Sequence, residues 1–243
     1  VGYLTSEKDQ KLIRKLEAFP KLSDLNQQYR ISRGEEGSKF ALEISETGDF
    51  FMVIPEDVER YAVGIGKKIN SNTLTETKKA SLYRNPKIWI IRIQKMRWKQ
   101  RLVCAYDPRT NSAGMKTLQV VVSPDGDERS LKFLLAILAS KLSNYWCINF
   151  LADDMNQSYL EKIPIAQVPP DDFPRRTLRD NIVAVVDSLQ AFLAHLATAK
   201  TPHERKSLET QTAATDRQID QIVYELYGLT PEEIRIVEGA AGG

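Results

Sequence analysis

The sequence predicts an α+β fold: a mainly β domain followed by long helices that form an antiparallel helical hairpin. Between residues 29 and 122, short β-type runs alternate with turn formers, which is typical of paired strands. After Gly126 the apolar residues recur at three- and four-residue steps, as on one face of a helix. A proline-rich linker at residues 168–174 marks a boundary. We therefore expect an N-terminal helical lead-in at 1–28, a β domain at 29–168 and a helical hairpin at 169–243.

Individual elements follow from local signals. Ser6 is placed to cap a helix that carries Leu12, Ile13 and Leu16 and is closed by Pro20. Four apolar runs predict strands, at residues 50–54, 87–93, 102–106 and 118–122. One helix is predicted from about Glu128 to Leu151.

The C-terminal part carries two long amphipathic patterns. In the second, the positions Leu208, Thr212, Thr215, Ile219, Ile222 and Leu226 alternate strictly by four and three, which is the seam of a coiled-coil pair. The connection around Thr201 and Pro202 is short and predicts antiparallel packing. Thr230, Pro231 and Glu233 then form a compact helix start.

Composition limits the class of protein. The chain has 243 residues, 27% of them charged, and a formal net charge of +2, which argues against a histone-like coat or a membrane-surface protein. Its two cysteines lie in apolar segments, so we expect reduced core residues. No run approaches a membrane span, so we expect a cytoplasmic protein with no membrane partner. The first residue is Val rather than Met, which suggests a piece of a longer polypeptide.

Positive charge is concentrated in one segment. From Arg84 to Arg101 there are seven Lys or Arg residues and no Asp or Glu, with Trp89 and Trp98 among them. A cationic, aromatic-bearing hairpin suits a polyanion, and duplex DNA is the first candidate. The alternative is a solvated edge strand whose Lys and Arg residues guard against aggregation.

Catalytic motifs are scarce. His195 and His203 have no Cys, His or acidic cluster at ligand spacing, so neither a zinc site nor a His-dependent nucleophile is indicated. Residues 85–88 begin like the Asn-Pro-Pro-aromatic motif of amino-methyltransferases, but Lys87 and Ile88 leave no ring to stack on a flipped base. Glu56, Glu76 and Lys78 loosely mimic the magnesium site of a nuclease. This favours a binding module over an enzyme.

Several motifs, taken in order, resemble the TaqI-like C-terminal specificity domain. This is the DNA target-recognition region of type IIG restriction-modification enzymes and related adenine-N6 methyltransferases. The similar segments are Arg33-Gly34-Glu35-Glu36, residues 56–61, residues 83–88 with 118–121, residues 138–145, residues 159–165 and residues 219–230. The last is the sharpest match. Pro55 and Ala139 depart from the usual Gly and Asn.

The resemblance implies that the chain is the specificity part of a larger enzyme. Its partners would be double-stranded DNA and the methyltransferase domain of the same polypeptide. The chain itself would hold no cofactor, and S-adenosylmethionine and magnesium would bind in parent domains that methylate adenine, with or without cleavage. The Arg33–Glu36 segment would position the domain or form internal ion pairs.

The predicted DNA contacts divide by chemistry, because phosphate contacts give affinity and base contacts give sequence choice. Candidates for phosphates are Lys67, Lys68, Lys78, Lys79 and Arg84. On or beside the hairpin lie Arg92, Lys95, Arg97, Lys99 and Arg101. Of these, Arg97 and Arg101 are candidates for contacts to guanine. Gln94 and Gln100 are candidates for contacts to adenine. Arg109 and Asn111 lie at the opposite loop, and Trp98 either stacks on a base or covers the hairpin.

Two other functions stay open at this point. The first is a protein-interaction subunit that docks a partner through its coiled-coil arm and has only nonspecific DNA affinity. The second is a magnesium-dependent nuclease that uses Glu56, Glu76 and Lys78.

Overall fold

The computed structural model describes residues 6–36, 46–70, 79–92, 100–150 and 155–242 and confirms the α+β class. The strands are β1 (Arg30–Arg33), β2 (Phe50–Val53), β3 (Val58–Glu59), β4 (Ala62–Val63), β5 (Lys67–Ile69), β6 (Lys87–Ile91), β7 (Cys104–Asp107), β8 (Ser112–Gly114) and β9 (Leu118–Val122). The helices are α1 (Glu7–Glu17), α2 (Ala80–Tyr83), α3 (Glu128–Ala139), α4 (Lys141–Phe150), α5 (Gln157–Leu160), α6 (Phe173–Thr198), α7 (Pro202–Leu226) and α8 (Pro231–Gly242).

The main sheet has four antiparallel strands in the order β1-β9-β6-β7. Alternate residues of β6 enter two different cores: Ile88 and Ile90 face the helices, whereas Trp89 and Ile91 face a second sheet. Because both faces are covered, the central strands read as continuous apolar runs in the sequence. The second sheet has the order β5-β2-β8, with β2 and β8 parallel, and β3 and β4 form a small hairpin.

The helix starts follow the predicted signals. At α1, the N–H of Asp9 donates to Ser6 Oγ (3.3 Å) and the N–H of Ser6 donates to the Asp9 carboxylate (2.8 Å). The same reciprocal pair joins Thr230 and Glu233 at the start of α8. Both predicted caps are confirmed.

The prediction of one helix from Glu128 to Leu151 is wrong. The chain breaks at Ser140, which has extended dihedrals, and the axes of α3 and α4 differ by 56°. Ser140 Oγ donates to Ile137 O (2.7 Å) and accepts from the N–H of Ser143 (3.2 Å), so this side chain replaces backbone bonds of a continuous helix. The buried carboxylate of Asp220 accepts the N–H of Lys141 (2.9 Å) and stabilises the new helix start.

Helices α6 and α7 pack against each other across a three-residue connection, as the predicted hairpin. Thr201 caps α7 through the N–H of Glu204 (3.2 Å). By length and composition α6 would suffice to cross a membrane, yet its Ile182, Val186 and Leu189 are buried in the protein core. One hydrophobic cluster includes residues of α1, the main sheet and the hairpin, so the three predicted segments share a core.

Candidate nucleic-acid interface

The predicted DNA-contact residues fall into three groups. Lys78, Gln94, Lys95, Arg97, Trp98 and Lys99 lie outside the described residues, as does Glu76 of the alternative nuclease site. The second group comprises Lys79, Arg92, Gln100 and Arg101, and the third comprises Lys67, Lys68, Arg84, Arg109 and Asn111. The strand register places the second and third groups at opposite ends of β6, which at about 3.3 Å per residue is roughly 13 Å long.

Arg92 and Gln100, the described residues on either side of positions 93–99, lie at the Ile91 end of β6. The N–H of Ile91 donates to Val103 O (3.0 Å), and the N–H of Arg92 donates to Thr117 O (2.9 Å). Arg92 and Gln100 therefore lie at the same end of the main sheet as the turn that precedes β9. This end is where the polar residues of the site converge.

A cationic cluster surrounds this end of the sheet, and we define it as Arg33, Lys79, Arg92 and Lys116 together with Glu36. Glu36 accepts from Arg33 Nη2 and from Lys116 Nζ (3.2 Å). Lys79 Nζ donates to the carbonyl of Arg33 (2.6 Å). Glu36 thus joins Arg33 to Lys116, and Lys79 is joined to the same segment through the carbonyl of Arg33. The hydrogen bond and the charge of Lys116 hold the pKa of Glu36 below its usual value, with a smaller contribution from Arg33.

Gly34 makes this convergence geometrically feasible. A Cβ atom at this position would lie 2.2 Å from the carbonyl oxygen of Met115, so only glycine lets the two backbones approach. The N–H of Lys116 then donates to Glu35 O (2.7 Å). Glu35 itself is buried and accepts from the hydroxyl of Tyr83 (3.0 Å). The internal ion pair expected in the Arg33–Glu36 segment is confirmed between those two residues.

Sequence reasoning missed Lys116, because it lies outside the basic segment. The signal that identifies it is the pairing of β9 with both β1 and β6. That pairing brings the turn before β9 beside the Arg33–Glu36 segment and beside Arg92.

A second basic surface, the turn patch, lies at the other end of β6 and comprises Lys67, Lys68, Arg84, Phe51 and Arg109. Lys68 is paired with Phe51 across the second sheet, and the guanidinium carbon of Arg109 lies 5.2 Å from the centre of the Phe51 ring. Lys67, Lys68 and Arg84 are exposed. Phe51 is half-buried and was not predicted as part of a site.

Four predicted contact residues have roles inside the protein. Arg109 donates to the Asp107 carboxylate (2.7 Å) and to the carbonyls of Ile65 (2.8 Å) and Gly64 (3.1 Å). The side-chain amides of Asn111 and Gln100 donate to the carbonyls of Asp49 (2.9 Å) and Leu102 (2.8 Å). Arg101 is only 7% exposed. A base contact by Arg101 requires this side chain to leave its buried position.

Lys87 corrects the interpretation of the basic segment as a uniformly exposed surface. It is fully buried, and its Nζ donates to Arg109 O (2.6 Å) and to Ser112 Oγ (3.0 Å). Ser112 Oγ and Trp89 Nε1 in turn donate to Asp107 at 2.7 and 2.9 Å. Burial lowers the pKa of Lys87 to about 7, with partial opposition from the nearby Asp107 charge. Burial alone would raise the pKa of Asp107, but hydrogen bonds from Arg109, Trp89 and Ser112 outweigh it and lower that pKa.

The structure also describes several of the groups that the sequence analysis weighed for catalysis or metal binding. Among those residues no group of three His, Cys, Asp or Glu side chains is arranged to hold a metal ion. Cys104 and Cys147 are free and buried, as expected, and burial raises the pKa of both thiols. The Asn85 amide donates to the Ser81 carbonyl (2.9 Å), so it closes a local turn.

No protein-family model matches this chain, and no curated protein matches it either.

Proposed function

We propose that this chain is a sequence-specific DNA target-recognition domain. Catalysis, with S-adenosylmethionine and magnesium, would belong to other domains of a type IIG-like restriction-modification enzyme. Two supports carry the proposal: the ordered motifs that resemble the TaqI-like specificity domain, and the cationic cluster. The cluster is the single structural observation on which the proposal rests.

The cluster suits phosphate binding because three of its cations are held in place: Glu36 holds Arg33 and Lys116, and the carbonyl of Arg33 holds Lys79. Arg33 and Lys116 are each partly exposed, with side-chain exposures of 39% and 49%. Glu36 accepts from both side chains, so it orients them and offsets one of their two charges. Cations held in place in this way lose less side-chain entropy on binding than freely rotating ones.

The position of the cluster also fits the predicted separation between phosphate contacts and base contacts. It includes Arg92 and lies at the same end of the sheet as Gln100, so phosphates bound here would bring a groove towards the C-terminal half of the basic segment. The turn patch, with Lys67, Lys68 and Arg84, lies at the opposite end of β6 from the cluster. This separation of roughly 13 Å corresponds to about four base pairs of duplex. Reading of base edges by Arg97 and Gln94 stays a prediction from the sequence.

The test is a selection of bound fragments from a random duplex pool, followed by salt titration on the enriched duplex. For the wild type we expect an enriched motif of several base pairs. Lys79→Gln with Lys116→Gln should bind more weakly and reduce the slope of log affinity against log salt by about 1.8, because each lost phosphate contact removes about 0.9. The enriched motif should be unchanged, since phosphate contacts carry no sequence information directly.

The matched control is Lys200→Gln with Lys206→Gln. These two lysines are exposed at the tip of the hairpin, and neither makes an ion pair within the described structure. An equal reduction of the slope in this control would show that net charge, and not the cluster, governs binding. Absence of any enriched motif together with absence of binding at low salt would refute the proposal.

A further inference from the structure

A cleft of about 1050 Å³ lies between the β3–β4 hairpin and the distal half of α6. The end of β7 and the start of α3 close its floor through Tyr106 and Glu128. On the α6 side of the cleft, Gln190 donates to the carbonyl of Tyr61 (3.2 Å), and α6 continues for two more turns to Thr198.

The two walls of the cleft present apolar groups. On α6, Leu193 and Leu196 are half-buried and point to the same side, with Ala197 beside them. On the opposite rim, Ile65 is 76% exposed, one of only two large hydrophobic residues exposed to this degree in the described structure. Arg109 holds the backbone of this rim through the carbonyls of Gly64 and Ile65. Ile65 is therefore presented by a braced turn.

The charge of the cleft is opposite to that of the whole protein. Six acidic side chains line it against three basic ones, although the chain has a formal charge of +2. Lys132 pairs with Asp187 (2.7 Å), and Arg109 pairs with Asp107. Glu56 and Glu59 are exposed and make no ion pair with any described residue.

We propose that this cleft docks an amphipathic helix of a protein partner, with leucine-like residues on one face and lysine or arginine beside them. The apolar face would cover Leu193, Leu196 and Ile65, and the basic residues would face Glu56 and Glu59. This is the helix-in-groove mode of recognition. The acidic lining excludes nucleic acid as the occupant, because phosphates would meet like charge.

The size of the cleft agrees with this occupant. A helix 10–12 Å across occupies roughly 120–170 Å³ per residue at its rise of 1.5 Å, so about 1050 Å³ holds roughly six to nine residues. That is about two turns, enough for apolar residues at positions i, i+3, i+4 and i+7.

The experiment is a selection on the full chain from a displayed library of helical 16-residue peptides, randomised on one face. We expect enriched peptides with an apolar stripe and with Lys or Arg adjacent to it. The best peptide is then synthesised and titrated by fluorescence anisotropy against three proteins: the wild type, Glu56→Lys with Glu59→Lys, and Leu193→Asp. The double variant Glu56→Lys with Glu59→Lys should weaken binding about fivefold or more, because favourable charge pairs are lost and repulsive ones are gained. Leu193→Asp should abolish binding.

The matched control is Glu209→Lys with Glu225→Lys, which makes the same change of charge on α7 outside the cleft and should leave peptide affinity unchanged. Thermal unfolding checks that each variant is folded. Failure to enrich any peptide would overturn the proposal. So would an enriched peptide whose affinity for both variants, Glu56→Lys with Glu59→Lys and Leu193→Asp, equals its affinity for the wild type. Neither result bears on DNA binding, which the other proposal addresses.

Discussion

Replacing Lys87 with Met should change how stability depends on pH. Lys87 is fully buried, and its ammonium group is held by one carbonyl and one hydroxyl beside Asp107. Met has a similar length and no charge, so it fills the same space while removing the only group in the network that titrates near neutrality. The substitution separates the cost of a buried charge from the contribution of packing.

The magnitude follows from the two pKa values of Lys87, about 7 in the folded state and 10.5 as the ordinary value of a free lysine side chain. Between these values the unfolded chain binds one proton more than the folded chain, so the free energy of unfolding rises with pH. The slope is about 1.4 kcal/mol per pH unit. Over the whole interval between the two pKa values, the buried charge of Lys87 costs on the order of 5 kcal/mol of stability, a cost that is present at low pH and disappears as the pH rises. From pH 7.5 to 9.5 the expected gain is about 2.7 kcal/mol.

The assay is urea unfolding of the wild type and of Lys87→Met at half-unit steps from pH 7.5 to 9.5. The difference between the two proteins isolates Lys87, because Cys104 and Cys147 have raised pKa values and titrate alike in both. We expect the variant to be at least as stable as the wild type at pH 7.5, and the stability of the wild type relative to the variant to rise by about 2.7 kcal/mol by pH 9.5. Parallel curves for the two proteins would refute the reasoning, and Lys200→Met, at an exposed site, should give parallel curves.

Three further predictions concern the cluster and the core. Glu36→Gln should bind DNA more tightly and steepen the salt dependence by about 0.9, measured by fluorescence anisotropy, because it removes the carboxylate that pairs with Arg33 and Lys116. Glu161→Gln should change neither quantity. Gly34→Ala should lower the free energy of unfolding in urea by about 1–3 kcal/mol, since its Cβ would collide with Met115. Asp220→Asn should be more stable than the wild type at pH 7, by up to about 3 kcal/mol, and equal to it near pH 4, because burial raises the pKa of Asp220 to about 6.

Local signals were sufficient to predict most elements of the fold. The apolar runs at residues 87–93 and 118–122 predict strands, and the caps at Ser6 and Thr230 act within one turn. The break at Ser140 was missed because its stabilising partner, Asp220, lies 80 residues further along the chain. Periodicity alone carries no information about such a partner.

The candidate site was only partly predictable for a related reason. Counting charges between residues 84 and 101 treats every lysine as exposed, but Lys87 lies in the interior because Asp107 and Ser112 supply its polar surroundings. Conversely, Lys116 belongs to the cluster only because the strand register brings it to Glu36. Charge composition indicates that a basic surface exists, and the pairing of strands decides which residues form it.

The cationic cluster and the cleft are compatible because the sheet keeps them apart. The cluster is built on the β1 side of the Ile91 end, whereas the cleft lies beyond β7, three strand spacings or roughly 14 Å across the sheet and at the Lys87 end of β6. The Debye length at physiological ionic strength is about 8 Å, so the acidic cleft hardly weakens the attraction of the cluster for phosphate. The nearly balanced charge of the chain therefore conceals two local surfaces of opposite sign. A target-recognition domain that binds DNA with one and holds a basic partner helix with the other needs both, and net charge would reveal neither.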